Sequence, residues 1–151
     1  MMQSRRIDPL LRRAQEHEDE VARDLAERQR ALDTHLSRLD ELRRYAEEYA
    51  GSQMAATSPA ALTNRRAFLD RLDSAVQQQM QTVDSNRAKV EAERARLLLA
   101  SREKQVLEQL AASYRAQEKQ VVDRREQREM DDLGARRSRL ARAEDGQGET
   151  A

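Results

Sequence analysis

Between Ile7 and Tyr49 the chain sets a residue at alternating steps of four and three: Ile7, Leu11, Ala14, Glu18, Val21, Leu25, Arg28, Leu32, His35, Leu39, Leu42, Ala46 and Tyr49. A mean repeat of 3.5 keeps one stripe turned toward a neighbouring helix and winds the pair left-handedly, the signature of a coiled coil. Asp8-Pro9 reads as an N-cap followed by a first-turn proline, and Gly51 suits the position just past a helix end, so a first helix is expected over about 8–50. Residues 51–58 interrupt the repeat and read as a turn. Ser58-Pro59 repeats the starting signature, and a second helix is expected over about 59–140.

The second helix carries its own seam: Leu69, Leu72, Val76, Gln79, Val83, Asn86, Val90, Glu93, Leu97, Ala100, Lys104, Leu107, Ala111, Tyr114, Glu118 and Val121. Polar residues at seam positions weaken a coil but fix its register. A short loop between two seamed helices predicts an all-α fold, two long helices of unequal length in an antiparallel coiled-coil hairpin. Residues 1–142 are expected to form this single unit, with 143–151 a polar, disordered tail. At 1.5 Å per residue the first helix measures ~63 Å and the second ~120 Å. Closing the hairpin at 51–58 places Leu11 opposite roughly residue 100 and leaves everything beyond about residue 105 overhanging. That overhang still carries Val106, Leu107, Leu110, Tyr114, Val121, Val122, Met130 and Leu133, so it is expected to fray, self-associate or dock on another protein.

Composition agrees with an elongated helical unit: of 151 residues, 37% are charged and only 3% aromatic, too few large apolar side chains for a globular core of ordinary size. Basic and acidic residues number 28 each, and neither half is polarised, which argues against a dedicated nucleic-acid binder. The run Arg136 to Arg142 is followed at once by acidic residues, so a nucleic-acid tether is the weakest reading. Cysteine is absent, excluding disulfides and sulfur-bound zinc. The longest apolar run, Leu97 to Ala100, is far below the roughly 20 residues that span a bilayer. A cytoplasmic protein is expected, meeting a membrane only through partners.

Catalytic chemistry has no foothold in the pattern. There is no Gly-rich phosphate loop and no nucleophile elbow. His17 and His35 lie ~27 Å apart along one helix, too far to share a metal. No catalytic residue, metal or cofactor is expected. The aromatics are more informative, since Tyr45, Tyr49 and Phe68 flank the turn. Two stripes meet there, Arg38, Leu42, Tyr45 and Tyr49 on the first helix and Phe68, Leu72, Ala75 and Gln79 on the second. Their spacing allows one composite patch near the hairpin tip, with rings suited to anchoring an interface. Met130 and Leu133, neighbours amid charge, form the smallest pattern of a helix-in-groove contact.

These residues resemble the flagellar FliJ family, coiled-coil accessory subunits of the flagellar type III export ATPase complex. Tyr45-Ala-Glu-Glu-Tyr49 is similar to the family's Tyr-x-x-x-Tyr. Asn64-Arg-Arg-Ala-Phe68-Leu-Asp-Arg-Leu72-Asp-Ser-Ala75-Val is similar to its Asn-Tyr-x-x-Phe-x-x-x-Leu-x-x-Ala-Ile. Glu126-Gln-Arg-Glu-Met130-Asp131-Asp132-Leu-Gly-Ala-Arg136 is similar to its closing Gln-Lys-x-Met-Asp-Glu-x-Ala. The resemblance implies a topology like the two terminal helices of the rotary ATP synthase stalk, and a place in or beneath the pore of the hexameric export ATPase. It implies gate binding through Leu42, Tyr45, Tyr49, Phe68, Leu72 and Ala75, and contacts with export chaperones. The chain departs from relatives at Arg38 and Gln79, where they carry Gln and His, and at Arg65, where the family has Tyr. Leu42, Tyr45, Tyr49, Phe68, Leu72 and Ala75, with the spacing-derived Arg38 and Gln79, form the expected gate face. Leu107, Tyr114, Val121, Met130 and Leu133 are the expected ATPase-complex contacts. The competing reading is a self-associating scaffold or tether, whose overhang pairs with copies of itself.

Overall fold

A computed structural model of the chain describes residues 2–52 and 58–148. Two helices account for nearly all of them, α1 (Met2–Gly51) and α2 (Pro59–Gly148), and no strand occurs among the described residues. The protein is an all-α helical hairpin. Most of the expected turn, residues 53–57, lies outside the described residues. The chain divides into two units, residues 14–103 and residues 1–13 with 104–151.

In the 14–103 unit, α1 and α2 run antiparallel. Gln79 of α2 reaches His35 of α1, Arg96 lies 3.8 Å from Asp24, and Phe68 meets Tyr49. Val21 and Leu39 from α1 are buried together with Leu72, Val83, Val90 and Ala100 from α2. Every seam position named above within this unit is buried or half-buried, Arg28 excepted. A guanidinium without a buried partner is costly to desolvate, so Arg28 turns outward and lines a polar groove of about 500 Å³ with Asp24, Glu27, Ala31, Glu93 and Arg96. Asn86 remains buried because its side-chain amide donates to the Thr82 carbonyl at 2.8 Å.

In the other unit the first turns of α1 lie antiparallel to α2. The Ser4 amide and hydroxyl donate to the two carboxylate oxygens of Glu118 at 3.2 and 2.8 Å, and Arg115 pairs with Asp8 at 3.3 Å. Ile7 and Ala111 are buried in the same unit, and Leu107 and Tyr114 are half-buried.

Several expected boundaries move. The helix does not start at Asp8-Pro9: α1 begins at Met2 and holds Pro9 inside it. Proline removes one backbone donor near the helix start, and the burial of Ile7 with the Ser4 and Asp8 bonds offsets that loss. The pairing is also offset from that expectation, so Leu11 is level with about residue 111 and not residue 100. The overhang therefore begins after Glu118 and not near residue 105, and residues 119–146 are all exposed. α2 continues to Gly148, into the stretch expected to be a disordered tail. Gly51 is the last residue of α1, and no glycine among the described residues takes a positive φ, so the expected left-handed cap is absent there.

Candidate docking face

The end of α1 and the start of α2 together build one aromatic face. Ser58 caps α2, its hydroxyl accepting from the Ala61 amide at 3.2 Å, with Pro59 opening the helix as the sequence predicts. At the facing end of α1 the terminal carbonyls would lack donors. Arg65 supplies them: its Nη2 lies 2.7 Å from Ser52 O, 3.3 Å from Ala50 O and 3.4 Å from Tyr49 O. The Ser52 hydroxyl adds a bond to Tyr49 O at 2.8 Å. A cation at a helix C-terminus also opposes the negative end of the helix dipole.

One turn after Arg65, Phe68 stacks against the last turns of α1. Its centroid is 4.6 Å from that of Tyr49 at a 59° tilt, and 6.3 Å from that of Tyr45, nearly edge-on at 79°. Both distances fall in the favourable range for aromatic pairs. Tyr49 and Phe68 are half-buried, whereas Tyr45 is 51% exposed and presents much of its ring to solvent. Beside it lies a shallow concavity of about 460 Å³ lined by Arg38, Glu41, Leu42, Tyr45 and Gln79. Gln79 is fixed there by donating to His35 O at 2.9 Å, with His35 Nδ1 at 3.3 Å.

The composite patch expected from the two stripes is thus largely brought together. Arg38, Leu42, Tyr45 and Gln79 share the concavity, and Tyr45, Tyr49 and Phe68 share the ring cluster. Leu72 differs, since at 8% exposure it belongs to the core beneath the face, and Ala75 is half-buried. Two residues enter that the sequence reading passed over, Glu41 on the rim and Arg65 at the helix end. Glu41 carries no periodic signal, and Arg65 was visible only as a missing aromatic.

The second group of expected contacts does not share one environment. Leu107 and Tyr114 are half-buried along the stretch of α2 that pairs with the start of α1. Val121, Met130 and Leu133 are 66%, 68% and 57% exposed on the arm beyond Glu118, where Glu129, Asp132, Leu133 and Arg136 outline a shallow hollow. No helix among the described residues is long and apolar enough to cross a membrane.

The fold is that of an antiparallel helical coiled-coil protein, with a half-exposed aromatic cluster in one unit and an exposed helical arm in the other. Residues 2–143 match the family described as Flagellar FliJ protein, and the chain belongs to that family. It is accordingly a component of the flagellar protein export apparatus, from a non-catalytic accessory family that serves flagellum assembly. No match was found among curated proteins or among solved structures.

Proposed function

We propose that the chain is the stalk-like subunit that binds the hexameric export ATPase and couples it to the membrane export gate and to export chaperones. It acts at the cytoplasmic face of the membrane through those partners. The gate face comprises Arg38, Leu42, Tyr45, Tyr49, Phe68 and Gln79, with Leu72 and Ala75 supporting it from beneath. The observation that carries this reading is the ring cluster at 4.6 and 6.3 Å beside an open concavity. Rigid, half-exposed aromatics next to a partly apolar hollow are the usual anchors of a protein interface. The exposed arm supplies Val121, Met130 and Leu133 to the ATPase complex, while Leu107 and Tyr114 hold the base of that arm. A ring that grips a helix by many weak contacts suits such a mixed apolar and charged surface.

Pull-down of purified ATPase and of the gate's cytoplasmic part by the full chain tests the two halves separately. Tyr45→Ala with Phe68→Ala is expected to abolish gate capture and to spare ATPase capture. Met130→Glu with Leu133→Glu is expected to do the reverse. Unchanged capture by both double variants would overturn the assignment.

The same exposed apolar residues, together with Val122 and Leu140, favour a second reading in which copies of the arm pair into a scaffold. Sedimentation at micromolar concentration separates the two readings. An oligomer dissolved by Leu133→Glu supports the scaffold, and a monomer supports the export stalk.

A further inference from the structure

We infer that Arg65 is the positioning residue of the aromatic face: its guanidinium, bonded to the last carbonyls of α1, sets where Tyr49 stands against Phe68. The inference deepens the proposed gate-docking reading and rests on it. A helix end normally satisfies its final carbonyls through a left-handed glycine. Gly51 is available for this and does not take that conformation. Instead, one nitrogen of Arg65 serves Tyr49 O, Ala50 O and Ser52 O, a cluster of acceptors at the negative end of the helix dipole. The carbonyl of Tyr49 also receives the Ser52 hydroxyl and, at 3.4 Å, the Ser52 amide. So the residue that bears the ring is gripped through its own backbone.

Arg65 and Phe68 lie three positions apart on α2 and therefore share a face. The Phe68 ring contacts Tyr49 from one end of this short segment while the Arg65 fork holds the Tyr49 backbone from the other. Two points of attachment fix both the position and the tilt of Tyr49. A single ring contact would leave it free to rotate with a fraying helix end. Loss of the cation leaves the carbonyls to water, the last turn of α1 loosens, and Tyr49 leaves its 4.6 Å contact although every ring is still present.

The test compares full-length wild type, Arg65→Gln, Arg65→Lys, Arg65→Met and Phe68→Ala. Tyrosine near-ultraviolet circular dichroism and NMR ring-current shifts report the Tyr49–Phe68 contact. Affinity for the purified cytoplasmic part of the gate protein reports docking. Arg65→Gln is expected to lose most of the ring signature and to weaken binding on the order of tenfold, with helical content and cooperative unfolding retained. Arg65→Lys, with three donors on one ammonium, is expected to recover much of both, whereas Arg65→Met, which keeps an apolar stem without the cation, is expected to behave as Arg65→Gln. A wild-type ring signature in Arg65→Gln, or a lysine variant no better than glutamine, overturns the inference. Should Phe68→Ala bind the gate normally, the docking reading fails, while the ring signature of Arg65→Gln still decides the role of Arg65.

Discussion

Glu118 accepts both the amide and the hydroxyl of Ser4, at 3.2 and 2.8 Å, across 114 positions of sequence. Among the described residues this is the last bonded layer between α1 and α2, and every one from Lys119 to Asp145 is exposed. Beyond it, the side-chain bonds among the described residues lie within α2 itself, as in Arg125–Glu129 at 4.0 Å and Gln127–Asp131 at 3.2 Å. Most helical stability in proteins comes from packing an apolar face, and an exposed stretch gains little of it.

Hydrogen exchange should therefore step sharply at Glu118. Amides of 104–118 are expected to be protected, and those of 119–148 to exchange close to the rate of an open chain. Ser4→Ala combined with Glu118→Ala should move the step back toward Ala111, which is the next buried position. Protection of 119–148 in the isolated chain would mean that another surface covers the arm. That outcome would also redirect attention to self-association.

Val21 is fully buried, whereas Arg28 occupies an equivalent seam position and is exposed. Val21→Ala removes two methyl groups from a closed layer and leaves space behind, a loss of about 2 kcal/mol. Arg28→Ala removes an outward side chain and should change stability by less than about 0.5 kcal/mol. Denaturant unfolding of both variants, read for the midpoint at a constant slope, checks the contrast. Equal losses would show that position in the repeat matters more than the burial seen here.

The repeat of four and three makes most of the core legible in the sequence, because burial in a two-helix coil recurs with that period. Val21, Leu39, Val83, Val90, Ala100 and Ala111 were all on the expected seams and are all buried. The helix ends were less legible. Asp8-Pro9 is a strong local start signal, yet Ser4 and Asp8 bond residues more than a hundred positions away with Ile7 buried beside them, and α1 extends to Met2. At the other end Gly51 looked sufficient as a cap. A charged residue fourteen positions later has no periodic signature that would have pointed to Arg65. The spacing marks the aromatic face, while Leu72 belongs to both the expected seam and the expected stripe, and its burial follows the seam.

Asn86 is buried between Val83 and Val90 and spends its amide on the Thr82 carbonyl. A polar residue on an apolar seam trades stability for a defined register. Asn86→Leu is expected to raise stability by on the order of 1 kcal/mol, as apolar contact replaces a desolvated amide. The same variant should lose some specificity of pairing. Thermal unfolding measures the first effect, and sedimentation beside wild type measures the second, through a shift toward larger species. A destabilised monomer would instead show that the Asn86 bond outweighs the apolar gain.

Tyr45 and Phe68 separate stability from docking. Phe68 is half-buried and touches two rings, so Phe68→Ala removes core area as well as both aromatic pairs, and a loss of about 3 kcal/mol is expected. Tyr45 is half exposed and meets Phe68 only edge-on, so Tyr45→Ala should cost no more than about 1 kcal/mol of stability. If the concavity beside Tyr45 receives the gate, that small structural loss comes with a large functional one. Truncating an anchor at an interface typically costs 2 kcal/mol or more, about thirtyfold in affinity. Calorimetric titration of the gate fragment against Tyr45→Ala, alongside its denaturation curve, measures both quantities in one variant. A Tyr45→Ala protein that binds as wild type, with the stability predicted here, would place the docking face elsewhere on the hairpin.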